Sequence, residues 1–538
     1  MGYKQVLTHW GKHSLKRMRG MICLFLLVSC ALPNPVINQA PFASSEPKAT
    51  TSTPISIIQD LNDITPIPAS DLTPLPSLTP QATPENGSSI PTEVVDKITR
   101  YELDANFDYF QHSLSVTESI TYFNATPHTL TDLLLIIEPN RKQAGFYLES
   151  LTWKTGESIE KFVLLSEQLQ ISLPKPLAPG EEIGIIIRYA LELPEIPPPS
   201  DTYRPIPYGY TERQTNIVDW YPYIPPYRPG DGWLVHKRWW FGEHQVLDIA
   251  DIQVRFSLVE PVQNLVIAAS ASAERDGDTY LYHLEAARSF ALSASNQYML
   301  KTKNVGDVTI YSYFFPYDEY AGEEVLQNTA DALRLYDHLI MPYPHTTLSV
   351  VEADFLDGME YDGLYFLSHG FYNIYDGTPK GYLTFIAAHE TAHQWWYGLV
   401  GNDQALEPWL DEALCTYMEY IFYENIYADY PPDSDQSLVD WWWYYRVYFY
   451  APDGWVNGSI YDYDQFRPYR DTVYLNGAKF LNDLRVLIGD EAFFTFLRDY
   501  ASKNRSRIAS ATDFFNILQE HTNKELDGLI DEYFQEPK

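Results

Sequence analysis

The chain has 538 residues, 45% hydrophobic and 15% aromatic. That is enough apolar surface for roughly two to four folded domains and excludes a disordered polymer. Its formal net charge of −35 repels phosphate backbones, which excludes nucleic acid as a partner class. Its three cysteines, Cys23, Cys30 and Cys415, are too few for a disulfide framework.

The first 29 residues hold five Lys/Arg and no Asp/Glu. Lys12, Lys16, Arg17 and Arg19 precede an apolar run, Met21–Val28, that is too short to span a bilayer and suits a signal-peptide core. It ends in "LVSC", which resembles the lipobox of bacterial lipoprotein precursors and implies lipidation of Cys30. The alternative is an ordinary signal peptide cut nearby, with Cys30 incidental. Residues 31–97 carry 12 of the 38 prolines and almost no aromatic residue. Such a composition buries too little to offset chain entropy, so residues 30–97 are expected to be a disordered tether, on the order of 200 Å long if extended at about 3.1 Å per residue. A lipidated Cys30 at the end of such a tether would hold the folded body off a membrane. The expected location is therefore the bacterial cell envelope, outside the cytoplasm.

Period-two patterning begins at once after the tether. Tyr101, Leu103, Ala105 and Phe107 alternate with Glu102, Asp104, Asn106 and Asp108, and further strands follow at 114–122, 133–139, 182–193 and 252–258. Residues 98–300 are predicted to be an all-β saddle or sandwich. Helical spacing appears at 321–340, a strand at "TTLSVVEADF", and helices at Tyr382–Leu399, Trp409–Tyr427 and Val473–Leu487. Residues 301–538 are therefore α+β, passing into a helical lobe.

The helix predicted at 382–399 contains "HETAH". Positions i and i+4 share a helix face, so His389 and His393 can present two imidazole nitrogens to one ion. Glu390 lies beside that face, placed to take a proton from a water activated there. Zinc needs at least one more protein ligand. Glu412, 19 residues after His393, would return on the next helix as the third. Trp409, Leu410, Ala413 and Leu414 flank it, and an unpaired charge on so apolar a helix would be costly.

Together these motifs resemble the aminopeptidase-N-like zinc metallopeptidases of the gluzincin class, over residues 98–538. "HETAH" and "WLDEA" are similar to the family's zinc motif and its W-L-N-E-G counterpart. "GMEYDG" (358–363) resembles the G-x-M-E-N segment, and "VYLNGAKFL" (473–481) the Y-x-K-G-A segment. The resemblance implies a β-rich N-terminal domain before a thermolysin-like catalytic domain. It also implies one Zn²⁺ on His389, His393 and Glu412, with Glu390 as general base. Gly358, Met359 and Glu360 would bind the peptide, Glu360 taking its free α-amine, and Tyr474 would donate to the developing oxyanion. Glu407 and Glu419 are candidates for orienting the histidines.

Tyr361 stands where the family has Asn, Asn476 where it often has Lys, and Asp411 where it often has Asn. The chain ends about 60 residues after Tyr474, without the helical C-terminal domain of long family members, so an open cleft is expected. The family's further amine-binding residue is expected near "TERQTNIVDWYP" (211–222). The aromatic run Asp440–Tyr450 reads as core at helical spacing, with some rings free to wall a pocket, and Arg446 within it as a buried pair or an aromatic stack. The function implied is an aminopeptidase. Two alternatives stay open, a zinc endopeptidase with an open cleft and a lipid-anchored binding or scaffold protein with a degenerate site.

Overall fold

The computed structural model describes residues 97–535, apart from 142–144, 199–205 and 431–435. The expected leader, Cys30 and tether lie outside the described residues. Alternation builds the N-terminal domain. In Thr99–Asp108 the odd-numbered residues Tyr101 to Phe107 are buried and the even-numbered Glu102 to Asn106 exposed, as one face of a sheet against a core requires. That strand pairs in parallel with Ala250–Leu258 and antiparallel with Ser113–Phe123, at the centre of a seven-stranded sheet. A three-stranded sheet (Leu130–Ile136, Gln168–Leu177, Phe162–Leu165), a four-stranded one and a two-stranded one (Tyr227–Arg228, Gly232–Trp233) complete the domain. Their inward residues form one continuous apolar core.

The second domain opens with a five-stranded sheet. In order across it lie Met299–Val305, Val308–Phe314, Thr347–Ala353, Leu364–Ser368 and, at the edge, Gly358–Tyr361. The helix Glu319–Leu339 connects the parallel pair Val308–Phe314 and Thr347–Ala353. Every residue of Thr347–Ala353 and Leu364–Ser368 is buried, because this sheet is covered on both faces. Leu348, Val350, Tyr365 and Leu367 pack with the helices, while Val351, Ala353, Leu364 and Phe366 enter the core of the β domain. The sheet that leads into "GMEYDG" is thus shared by both cores.

A second tie between the domains is Arg288, fully buried at the end of the β domain. Its Nε donates to the carbonyls of Tyr397 (2.7 Å) and Gly398 (3.1 Å), Nη1 to Leu247 (2.6 Å) and Nη2 to Arg507 (2.9 Å). Those first two carbonyls follow the helix Tyr382–Ala392, which ends seven residues sooner than its periodicity predicts. Beyond it, Gly398, Leu399 and Val400 bond five residues back, and Tyr397 takes φ 153°. Buried carbonyls need donors, and here an arginine from the neighbouring domain supplies them.

The helix Trp409–Ile426 is buried on every side from Trp409 to Tyr423, so it runs through the middle of the lobe. Two π-helical turns flank it, Trp443–Tyr448 and Arg470–Asn476. The second was expected as the start of an ordinary α-helix. Its wider turn precedes the helix Gly477–Ile488 and carries Tyr474.

Candidate active site

The helices Tyr382–Ala392 and Trp409–Ile426 pack side by side and bring His389, His393 and Glu412 together, each buried, with ligand atoms within 4.8 Å of one another. Glu412 Oε2 lies 3.1 Å from His389 Nε2 and 3.8 Å from His393 Nε2. Bonds of about 2.0–2.1 Å from a tetrahedral zinc put its ligand atoms about 3.3 Å apart, so the three fit that ion.

Both imidazoles are held from behind. His389 Nδ1 lies 3.0 Å from Glu419 Oε1 and His393 Nδ1 2.7 Å from Asp411 Oδ1. A carboxylate at Nδ1 fixes the proton there and leaves the Nε2 lone pair facing Glu412. Glu419 is itself saturated. It accepts from Arg446 Nε (2.9 Å) and Nη2 (2.8 Å) and from Trp442 Nε1 (3.0 Å). Burial would raise its pKa, but the Arg446 charge and these bonds hold it below the usual value. Of the aromatic run, Trp442 is therefore core and Arg446 a buried pair, while Tyr444, Tyr445, Tyr448 and Phe449 are exposed.

Asp411, expected only as a departure from Asn, positions His393, and its Oδ2 accepts from Gln404 Nε2 at 2.9 Å. Cys415 is buried, with Sγ 3.3 Å from the same His393 Nδ1. Glu407 is a correction. It does not orient either histidine, because its carboxylate accepts the Ala511 amide (3.0 Å) at the start of the helix Ala511–His521.

Glu390 is buried, and its Oε2 has no hydrogen-bond partner among the described residues. Burial, partly countered by the neighbouring imidazoles, pushes its pKa up to about 8. Its Oε1 rests on Gly358, where a Cβ would come within 1.9 Å. Gly358 is thus required for space. The edge strand that it begins carries Met359, which lines the cavity, and Glu360. Glu360, Glu390 and His393 present atoms within 4.8 Å of one another, and Gln404 Nε2 lies 3.3 Å from Glu360 Oε1. Across the cluster the Tyr474 hydroxyl donates to Glu412 Oε1 (2.5 Å), its ring parallel to that of His389 at 6.1 Å.

These residues line one cavity of about 300 Å³. Its far wall is the irregular segment 238–245, which crosses from the β domain to the helical lobe. Trp239 Nε1 donates to the Tyr463 carbonyl (2.9 Å), and Phe241 packs on Tyr469 at 5.3 Å. The cleft expected to be open is walled on this side. The segment also contributes Glu243, which burial and the charges of Glu412 and Asp411 raise to about 8. No periodicity or motif marks Glu243. From the stretch 211–222, Asp219 reaches the lining.

Residues 325–533 match the profile of the peptidase family M1 domain. Aminopeptidase N of Lactococcus lactis is 28% identical over 167 residues, 28% of this chain and 18% of the relative. Aminopeptidase M1-D of Oryza sativa is 25% identical over 223 residues, 39% of this chain and 25% of the relative. The matched region thus spans a quarter or less of these curated relatives. Among solved structures, an M1 zinc metallopeptidase E323A mutant from Deinococcus radiodurans aligns with TM-score 0.57 at 17% identity, covering 82% of this chain and 95% of its own. The same mutant bound to a Tyr-Ser-Ala substrate aligns with TM-score 0.58 at 19% identity and the same coverage. The fold of both domains is shared with these structures. Behind a β-rich N-terminal domain, this chain carries a peptidase family M1 domain over residues 325–533.

Proposed function

We propose that the chain is a zinc-dependent aminopeptidase that releases N-terminal residues from peptides. The observation that carries the reading is the placement of Glu360 within 4.8 Å of both Glu390 and His393. A carboxylate there makes a charge-assisted bond to an ammonium about one residue from the group that activates water. Glu360 also sits on an edge strand, whose open side lets an extended peptide add as a further strand.

Bound by His389, His393 and Glu412, zinc supplies Lewis-acid polarisation of the scissile carbonyl and acidifies water. Glu390 takes the proton of the attacking water on its unpartnered Oε2 and passes it to the leaving amine. Tyr474 turns its hydroxyl from Glu412 to the carbonyl oxygen as charge develops there. Asp411 and Glu419 keep the imidazole lone pairs aimed. The complete donor set and the fully bonded Glu419 favour catalysis over a degenerate binding site.

The test is a time course on a pentapeptide with five different residues. The N-terminal amino acid should appear first, activity should vanish on chelation and zinc should restore it. Cleavage first at an internal bond would favour an endopeptidase instead. Lipidation of Cys30 and a place in the cell envelope belong to the same proposal, supported by the basic flank, the apolar run and "LVSC". Among the described residues no helix is long and apolar enough to cross a membrane. A Cys30→Ser chain that still fractionates with membranes would refute the anchor.

A further inference from the structure

The cavity has two poles, set out along the helix Tyr382–Ala392. Tyr382, Ile386, Glu390 and His393 line it in succession on one helix face. At the His393 end stand the carboxylates of Glu360 and Asp411, with Glu243 in their field. Towards the Tyr382 end stand guanidinium groups, each with a carboxylate or a ring beside it. The Arg446 guanidinium lies 4.8 Å from the centre of the Phe385 ring, which packs on Tyr382 at 5.0 Å. The segment Trp443–Tyr448, which carries Arg446, packs on Arg470–Asn476, and over the Tyr450 ring lie Arg470 at 4.3 Å and Arg467 at 5.5 Å.

Of these guanidinium groups, Arg446 is consumed by Glu419, and Arg467 is not part of the cavity lining. Arg470 lines the cavity four residues before Tyr474, with 18% of its side chain exposed. Its Nε (2.9 Å) and Nη2 (2.5 Å) both go to Asp471 Oδ1, and Nη1 has no hydrogen-bond partner among the described residues. One edge of a planar, stacked guanidinium is thus left for an anion. In a chain of net charge −35, that is a specific feature of this wall.

We propose that Arg470 recognises the C-terminal carboxylate of short peptides, so that the site reads both ends of its substrate. The proposal rests on the aminopeptidase reading, in which Glu360 holds the α-amine. A peptide anchored there and extended past Glu390 runs along the cavity that Arg470 also lines. From His393 to Ile386 or Tyr382 the helix rises about 10–16 Å. At about 3.3 Å per extended residue, that span corresponds to peptides of about three to five residues.

The experiment uses the zinc-loaded chain with three substrates: tetraalanine, tetraalanine C-terminal amide and alanine p-nitroanilide. The acid should be cleaved with a kcat/KM about tenfold or more above the amide, the difference lying in KM. Arg470→Gln should collapse that acid-to-amide ratio to about one. Asp471→Ala, which removes that acceptor and frees the other donors of Arg470, should widen it. A merely structural role for Arg470 would lower acid and amide alike and leave the wild-type ratio unexplained. Equal cleavage of acid and amide by the wild type, with the anilide turned over, overturns the proposal alone. Turnover of none of the three overturns the aminopeptidase reading and this proposal with it.

Discussion

Glu390 joins three features that a structural carboxylate does not combine: burial, an unpartnered oxygen and a glycine cut away to make room for it. Glu390→Gln keeps the shape and removes the proposed base. It is expected to retain zinc and the folded circular-dichroism spectrum while kcat falls by at least about 100-fold, the usual scale of general acid–base catalysis. Undiminished turnover at full zinc occupancy would remove the assignment. Asp411 acts through His393. Asp411→Ala should weaken zinc affinity by about 10–100-fold in competition with a chelator, and Asp411→Asn, which still accepts a hydrogen bond, should recover much of it. His389, His393 and Glu412 are legible in the sequence because helix spacing alone puts two histidines on one face and a costly carboxylate on an apolar helix. The residues behind them are less so. Asp411 and Glu419 look like any helix carboxylate until the burial of that helix is known, and Glu407 looks the same as they do.

At the scale of elements, the site depends on how closely the helix Gly477–Ile488 approaches Trp409–Ile426. A Cβ at Gly477 would come within 2.4 Å of Ala413 Cβ, beside Glu412 and three residues after Tyr474. Neither partner is the tip of a flexible chain, so the helices must part. Gly477→Ala should cost about 1–3 kcal/mol in urea unfolding and lower kcat, because Tyr474 moves with its helix. Stability and kcat both equal to wild type would show that the approach is not tight. Strands read well from sequence wherever one face is solvated, as in Thr99–Asp108. The doubly covered strand Thr347–Ala353 shows no alternation, and only its length and β-branched content mark it. The π-helical turn at Arg470–Asn476 and the early end at Ala392 leave no periodic trace, since both are set by partners distant in the chain.

At the scale of the molecule, the two domains share cores through one sheet, and the β domain supplies Arg288, the wall 238–245 and Glu243. It is part of the site. Its interior carries a titratable weak point in Glu118, fully buried with neither oxygen in a well-formed hydrogen bond among the described residues, although the Tyr189 hydroxyl stands beside it. Burial raises its pKa well above the usual value. In the unfolded chain Glu118 loses its proton near pH 4.5, whereas the folded chain keeps it. Folding is therefore coupled to proton uptake, and stability falls as pH rises towards the folded pKa, by about 1.4 kcal/mol per unit. Glu118→Gln should remove this slope, so its gain over wild type in urea unfolding should be larger at pH 7.5 than at pH 5.5. An equal difference at both pH values would mean that Glu118 is charged and paired in the fold. The passage from β-rich to helical structure is legible from the change of period near residue 320. The wall 238–245 was not, because an irregular segment has no pattern, and its role exists only where it meets Tyr463 and Tyr469.

The most direct measurement compares one peptide with a free N-terminus and its N-acetylated twin on the zinc-loaded chain, and repeats the comparison with Glu360→Gln. Acetylation should lower kcat/KM by about 100-fold or more, and the substitution should bring the free-amine peptide down towards the acetylated value. Equal cleavage of the two peptides by the wild type would contradict an amine-anchored site.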